Sequence, residues 1–214
     1  MTTSQQSLVR AAARNNAEWC AAMCRAHGVA GEFGGGAWAA AGRAPLYHPD
    51  AVTLEPGADP DALVARIDTG SPGASVKDSF ADLDLTEAGF RVLFEAQWIH
   101  RPAGAATPAG TPEPTDLVWD VAGDPGTLRA WALAWDGGAG NADLFRDGLL
   151  ADPETFVIVG RSGDGQVVAG AVAGRSEHVV SDGDGQVVAG AVAGRSEHVV
   201  SDGDGQVVAG AVAG

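Results

Sequence analysis

Residues 155–174 read TFVIVGRSGDGQVVAGAVAG, and the division of this stretch decides the fold. TFVIVG (155–160) is a short apolar run rich in β-branched and aromatic side chains, which predicts a strand. RSGDG supplies Ser, Asp and two glycines for a turn, and QVVAGAVA (166–173) predicts the returning strand of a hairpin. Gly174-Arg175 has the form of a two-residue hairpin turn with glycine first, so SEHVVS (176–181) is expected as a third strand.

Upstream, LVWDV (117–121) reads as a strand and DPGTLRAWALAW (124–135) as a helix. Asp124 is placed to cap that helix, and Pro125 takes its first position, where a missing N–H costs nothing. Leu128, Trp131, Ala132 and Trp135 form its apolar stripe. NADLFRDGLLAD (141–152) is expected as a second helix. PAGAATPAGTPEPT (102–115), with four prolines, reads as a linker.

Before the linker, a helix is expected from about Ser4 to His27, stopped by Gly28, with Leu8, Ala12, Trp19 and Met23 on its apolar side. GVAGEFGGGAWAAAGRAP (28–45) reads as loop and AVTLE (51–55) as a short strand. ADPDALVARI (58–67) predicts a helix capped by Asp59 with Pro60 first. FRVLFEAQWIH (90–100) alternates Phe90, Val92, Phe94, Ala96 and Trp98 with Arg91, Leu93, Glu95, Gln97 and Ile99, which predicts a strand with both faces partly covered. The reading is α+β: an N-terminal region (1–101), a linker (102–115), a partial domain of strand, two helices and antiparallel strands (116–181), and a tail (182–214).

The tail is unusual. Residues 165–184 recur identically as 185–204, and 205–214 begin a third copy. Natural repeats keep core positions while solvent positions drift. Here the exposed positions match too, which points to recent duplication or to an artificial chain without selected function. Stacked copies predict an antiparallel β-meander of hairpins. Val168, Gly170 and Val172 would face one side, and Val167, Ala169, Ala171 and Ala173 the other. Both faces are small and apolar, so register is weakly specified and self-association through edge strands is expected.

Composition narrows the function classes. With 45% hydrophobic residues the chain can build a core, and its net charge is −15. Residues 1–160 hold 10 basic against 21 acidic side chains, and residues 161–214 hold 3 against 7. Such a surface repels phosphate backbones and anionic lipid, which argues against nucleic-acid and membrane partners. MTTSQQSLVRAAARNN lacks the basic start and apolar core of a secretory signal, and no run approaches the ~20 apolar residues of a membrane span. Cys20 and Cys24, four apart on a helix, are badly placed for a disulfide. A reduced, cytoplasmic protein is expected.

Three polar clusters could hold metal, and in each the plainer reading is preferred. Cys20, Cys24 and His27 share a helix face, but no further Cys or His completes a four-ligand site, so they are read as core packing beside Trp19 and Met23. Asp78, Asp82 and Asp84 do not follow a calcium-loop spacing and read as a solvated turn. Glu177-His178 and Glu197-His198 are strand neighbours that point to opposite faces. SDGDG lacks the spacing of calcium-binding β-solenoids. No metal site is expected.

The order strand, helix, helix, strand, hairpin, strand resembles the opening half of the GNAT family of acyl-CoA-dependent N-acetyltransferases. TFVIVGRSGDGQVVAGAVAG and DPGTLRAWALAW carry the likeness. VKDSFADLDLTEAGFRVLFEAQWIHRP (76–102) also looks like the leading part of two-part actinobacterial members. The resemblance implies acetyl-CoA as co-substrate and a small-molecule or protein amine as acceptor. It also implies a Gln/Arg-x-x-Gly-x-Gly/Ala loop after the fourth strand, opening a helix whose N–H groups hold the CoA pyrophosphate. By that likeness, contacts would fall to the backbone of Val179 and Val180 and to Gly183 and Gly185. The departures are specific. Val180 stands where Gln or Arg is wanted, Asp182 and Asp184 bring negative charge toward a pyrophosphate, and a strand-like sequence follows instead of a helix. At ~4 Å each like-charge contact costs about 1–4 kcal/mol. The resemblance therefore implies a transferase with its cofactor element missing, with no general base assignable. The alternative is a non-catalytic β-repeat protein that assembles through its tail.

Overall fold

In a computed structural model of the chain, residues 3–98, 116–135 and 140–175 are described. They belong to two units, one ending at Trp98 and the other starting after it. Both mix helix with a largely antiparallel sheet, as the α+β reading expects. The linker (102–115) and the repeats beyond Arg175 lie outside the described residues.

In the first unit, a stretch free of Gly and Pro forms α1 (Thr3–Ala26). It ends as expected at Gly28, whose φ of +75° suits glycine, with the Val29 N–H donating to the Cys24 carbonyl at 2.8 Å. The buried face differs from the expected one. Ala13, Ala17, Cys20, Ala21 and Cys24 line it together with Met23, while Leu8, Ala12 and Trp19 are only partly covered. Small side chains let the helix approach the sheet closely, and that outweighs the pull of the larger apolar residues.

GVAGEFGGGAWAAAGRAP is not loop. It folds into a hairpin of β1 (Gly31–Gly34) and β2 (Ala37–Ala40), turned on Gly35 and Gly36 with φ of +57° and +75°. Two left-handed residues in a two-residue turn match the twist of the strands. Strand β3 (Ala51–Thr53) pairs antiparallel with β2, and β4 (Val76–Lys77) pairs parallel with β3, giving the order β1-β2-β3-β4. Alternation sends Trp38, Ala40 and Val52 toward α1, and Ala37, Ala39 and Ala51 toward Leu63, Ile67, Val76, Leu83 and Phe90. Helix α2 (Pro60–Val64) is capped as expected, Asp59 accepting from the Ala62 N–H at 3.1 Å.

The strand expected at 90–100 is absent among its described residues. Phe90 packs into the core, but residues 91–98 carry no hydrogen-bonded secondary structure and are mostly exposed. A strand needs a neighbouring edge, and the edge strand β4 is two residues long.

In the second unit, β5 (Val118–Val121), β6 (Thr155–Arg161) and β7 (Val167–Gly174) form an antiparallel sheet in the order β5-β6-β7. Helix α3 (Pro125–Trp135) buries Leu128, Trp131 and Ala132, as its stripe predicts, and packs on β7. The second helix (141–152) is instead two short 3-10 helices, Ala142–Leu144 and Asp147–Ala151. Phe145 breaks the run by turning extended, which sets its ring edge-on to Trp131 and Trp135, with centroids 4.6 and 5.3 Å apart. The expected turn at Gly174-Arg175 is also absent. Gly174 pairs with Thr155, and the Arg175 N–H donates to the Glu154 carbonyl at 2.8 Å, so the ladder runs through both. Among the described residues, no helix is long and apolar enough to cross a membrane.

Candidate functional site

Val179, Val180, Gly183 and Gly185 lie outside the described residues, as do Glu177, His178, Glu197 and His198. The described part of the second unit supplies what would lead to them: a three-stranded antiparallel sheet backed by α3 and ending at Arg175. Three of the four arginines among its described residues are engaged locally. Arg161 donates to the Gly165 carbonyl and the Thr127 hydroxyl, Arg175 lies 5.4 Å from the Phe156 ring centroid, and Arg129 meets Asp143 at 3.3 Å. In sequence, Gly183 and Gly185 are flanked by the carboxylates of Asp182 and Asp184.

Two of the clusters weighed as metal ligands fall among the described residues. Cys20 and Cys24 are both buried and both free, in the interface between α1 and the sheet. Burial pushes the Cys20 thiol up to about 12 and the Cys24 thiol up to about 11. The three aspartates serve different loops. Asp78 accepts from the Phe80 and Leu83 N–H groups and the Thr53 hydroxyl, Asp82 from the Gly57 N–H, and Asp84 from the Thr86 N–H and hydroxyl. Hydrogen bonds from Thr86 hold the Asp84 carboxyl below the usual range. Among the described residues, no group of three or more His, Cys, Asp or Glu side chains could hold a metal ion.

Two arrangements in the first unit were not legible in the sequence. Lys77, the chain's single lysine, sits at the sheet edge with its ammonium 4.4 Å from the Trp98 ring centroid. Burial lowers its pKa, and the nearby Cys20 thiol partly opposes that shift. Trp98 is held in turn by its indole N–H, which donates to the Ser79 carbonyl at 3.0 Å. The second arrangement is a surface cavity of about 260 Å3 lined by Gln6, Arg10, Pro56, Phe80 and Asp82. It sets a cation and a carboxylate around a ring, yet Asp82 is committed to Gly57. A lone lysine in an arginine-rich chain is the one signal that could have flagged the first.

A buried ion pair in the same unit is structural. Asp50 is 1% exposed and accepts from Arg43 at 2.6 Å, from the Ala44 N–H at 2.8 Å and from the Ser75 N–H at 2.9 Å. Arg43 also reaches the Asp68 and Ser71 carbonyls, tying two loops together. No protein-family model, curated protein or solved structure matches the chain.

Proposed function

We propose that residues 116–181 are the leading half of a GNAT-type acyltransferase fold, and that the chain is an acetyl-CoA-dependent N-acetyltransferase-like protein impaired in cofactor capture. The observation that supports this reading best is connectivity. Strand β5 leads through α3 and two 3-10 helices into β6 and then β7, with the three strands antiparallel in chain order. That is the order the resemblance implies for the family's opening half, with its second helix reduced to two turns. A hydrophobic strand with an Asp-Gly turn occurs in many folds, so the activity rests on the site rather than on the sheet. The site lacks its element: the two aspartates oppose a diphosphate, and the residues after them have a strand pattern where amide donors at a helix end are needed.

The expected behaviour is little or no acetyl transfer. The full chain, given acetyl-CoA and a panel of primary amines, is expected to release free CoA no faster than the uncatalysed reaction. Turnover in the ordinary enzymatic range of ~1–1000 per second would overturn the impaired reading. A second reading, a non-catalytic protein that assembles through its repeats, is favoured by the identity of the copies. Truncation after Ser181 separates the two, since only the assembly reading expects the tail to change the sedimentation of the chain.

A further inference from the structure

The segment 91–97 combines three properties that seldom occur together. It has the alternation of a strand, it makes no backbone hydrogen bond to other described residues, and it exposes large apolar side chains, with Val92 80%, Leu93 45% and Phe94 46% accessible. Both its ends are anchored. Before it, a turn closes with the Phe90 N–H on the Leu85 carbonyl at 3.1 Å, Gly89 takes a φ of +84°, and Phe90 packs into the core. After it, Trp98 is fixed to the Ser79 carbonyl and lies over Lys77. Strand-forming residues held at both ends with free N–H and C=O groups are a template for another strand.

We infer that residues 91–95 form an intermolecular antiparallel strand pair with the same segment of a second copy of this chain, centred on Leu93. The register follows from the sequence. Antiparallel pairing about Leu93 sets Arg91 opposite Glu95 of the other copy and Glu95 opposite its Arg91. Val92 then falls opposite Phe94, Phe94 opposite Val92, and Leu93 opposite itself. Each cross-strand pair is therefore ionic with opposite sign or apolar on apolar, the combinations that stabilise a ladder. Neither Arg91 nor Glu95 has an ion-pair partner among the described residues, so both are available for this contact. A parallel in-register pair would instead set Arg91 on Arg91 and Glu95 on Glu95. The occupant is thus a second copy, in one orientation.

A two-stranded ribbon is marginal in water, so the dimer is weak and forms toward the upper part of a range of about 10 to 500 μM. Sedimentation equilibrium of the full chain over that range tests it. Arg91→Glu alone and Glu95→Arg alone each place like charges opposite one another twice, and each is expected to weaken dimerisation at least tenfold. The double variant Arg91→Glu/Glu95→Arg restores both pairs and is expected to recover wild-type association. All four side chains involved in the swaps are exposed, so far-ultraviolet circular dichroism is expected to be unchanged. A chain that is monomeric throughout, association indifferent to the single swaps, or a double variant as weak as the singles would each overturn the pairing. Indifference to the swaps together with loss of association on truncation after Ser181 would assign self-association to the repeats instead.

Discussion

Gly170 is expected to tolerate no side chain, and the reason can be worked through. It lies mid-strand in β7, opposite Val159, beneath the indole of Trp131, which is 1% exposed. An added Cβ would collide with Nε1 and Cδ1 of the indole and lie 2.6 Å from the Ile158 carbonyl oxygen. Two effects compete in Gly170→Ala. Removing a strand glycine stabilises by about 0.5–1 kcal/mol. Overpacking a filled core costs about 1–3 kcal/mol, and the upper end applies because Trp131 is wedged against Phe145 and cannot retreat. The net expectation is a loss of roughly 2–2.5 kcal/mol, which at an m-value of about 1 kcal/mol per molar moves the urea midpoint down by about 2–2.5 M. Gly163→Ala is the control, since nothing lies within 4 Å of its added Cβ. Trp131→Leu in the Gly170→Ala background is expected to recover part of the loss. A Gly170→Ala chain as stable as the wild type, or more so, would refute the packing of α3 on β7.

Other outcomes follow from the same contacts. Folding keeps the Cys20 and Cys24 protons to about pH 12 and 11, whereas the unfolded thiols lose theirs near 9.0. This stabilisation is complete below pH 9 and declines above it, by up to ~2.7 kcal/mol per pH unit for two thiols. Lys77 offsets part of that, because its lowered pKa makes the folded state shed a proton first. Urea midpoints are expected to fall between pH 9 and 10.5; a rising midpoint would contradict the burial. Asp50→Ala leaves the Ala44 and Ser75 amides without their acceptor and removes the carboxylate from the part-exposed Arg43, and is expected to cost ~2–4 kcal/mol, read as a lowered thermal transition of the first unit; a shift of only a degree or two would contradict the staple. Ala81 holds a φ of +55°, so Ala81→Gly is expected to stabilise by about 1 kcal/mol in urea unfolding, and a loss of stability would count against that backbone.

Legibility in the sequence followed the range of the forces involved. Elements set by local chemistry were readable: the Asp59-Pro60 start of α2, the Gly28 stop of α1, the Trp131 stripe of α3, and the hairpin of β6 and β7. Elements set by tertiary partners were not. The β1–β2 hairpin hid in alanine and glycine because β2 carries one large side chain, Trp38, and otherwise packs alanine against its neighbours, including the small face of α1. The Gly35-Gly36 turn was its one visible mark. The alternation of residues 90–98 was real but lacked an edge to pair with, and Phe145 gave up a helix to pack between two tryptophans. For the site, the sequence carried the departures at Val180, Asp182 and Asp184. The Lys77–Trp98 contact depended on a fold that no spacing announces.

Calorimetric titration of acetyl-CoA into two chains tests the central claim most directly. One is the full chain; the other carries, in place of residues 182–214, a Gln-x-x-Gly-x-Gly loop and its helix from an acetyl-CoA-binding acyltransferase. The account predicts no heat of binding for the first and a micromolar Kd for the second, because the graft supplies the amides that the repeat lacks. Micromolar binding by the unaltered chain, or none by the graft, would contradict it.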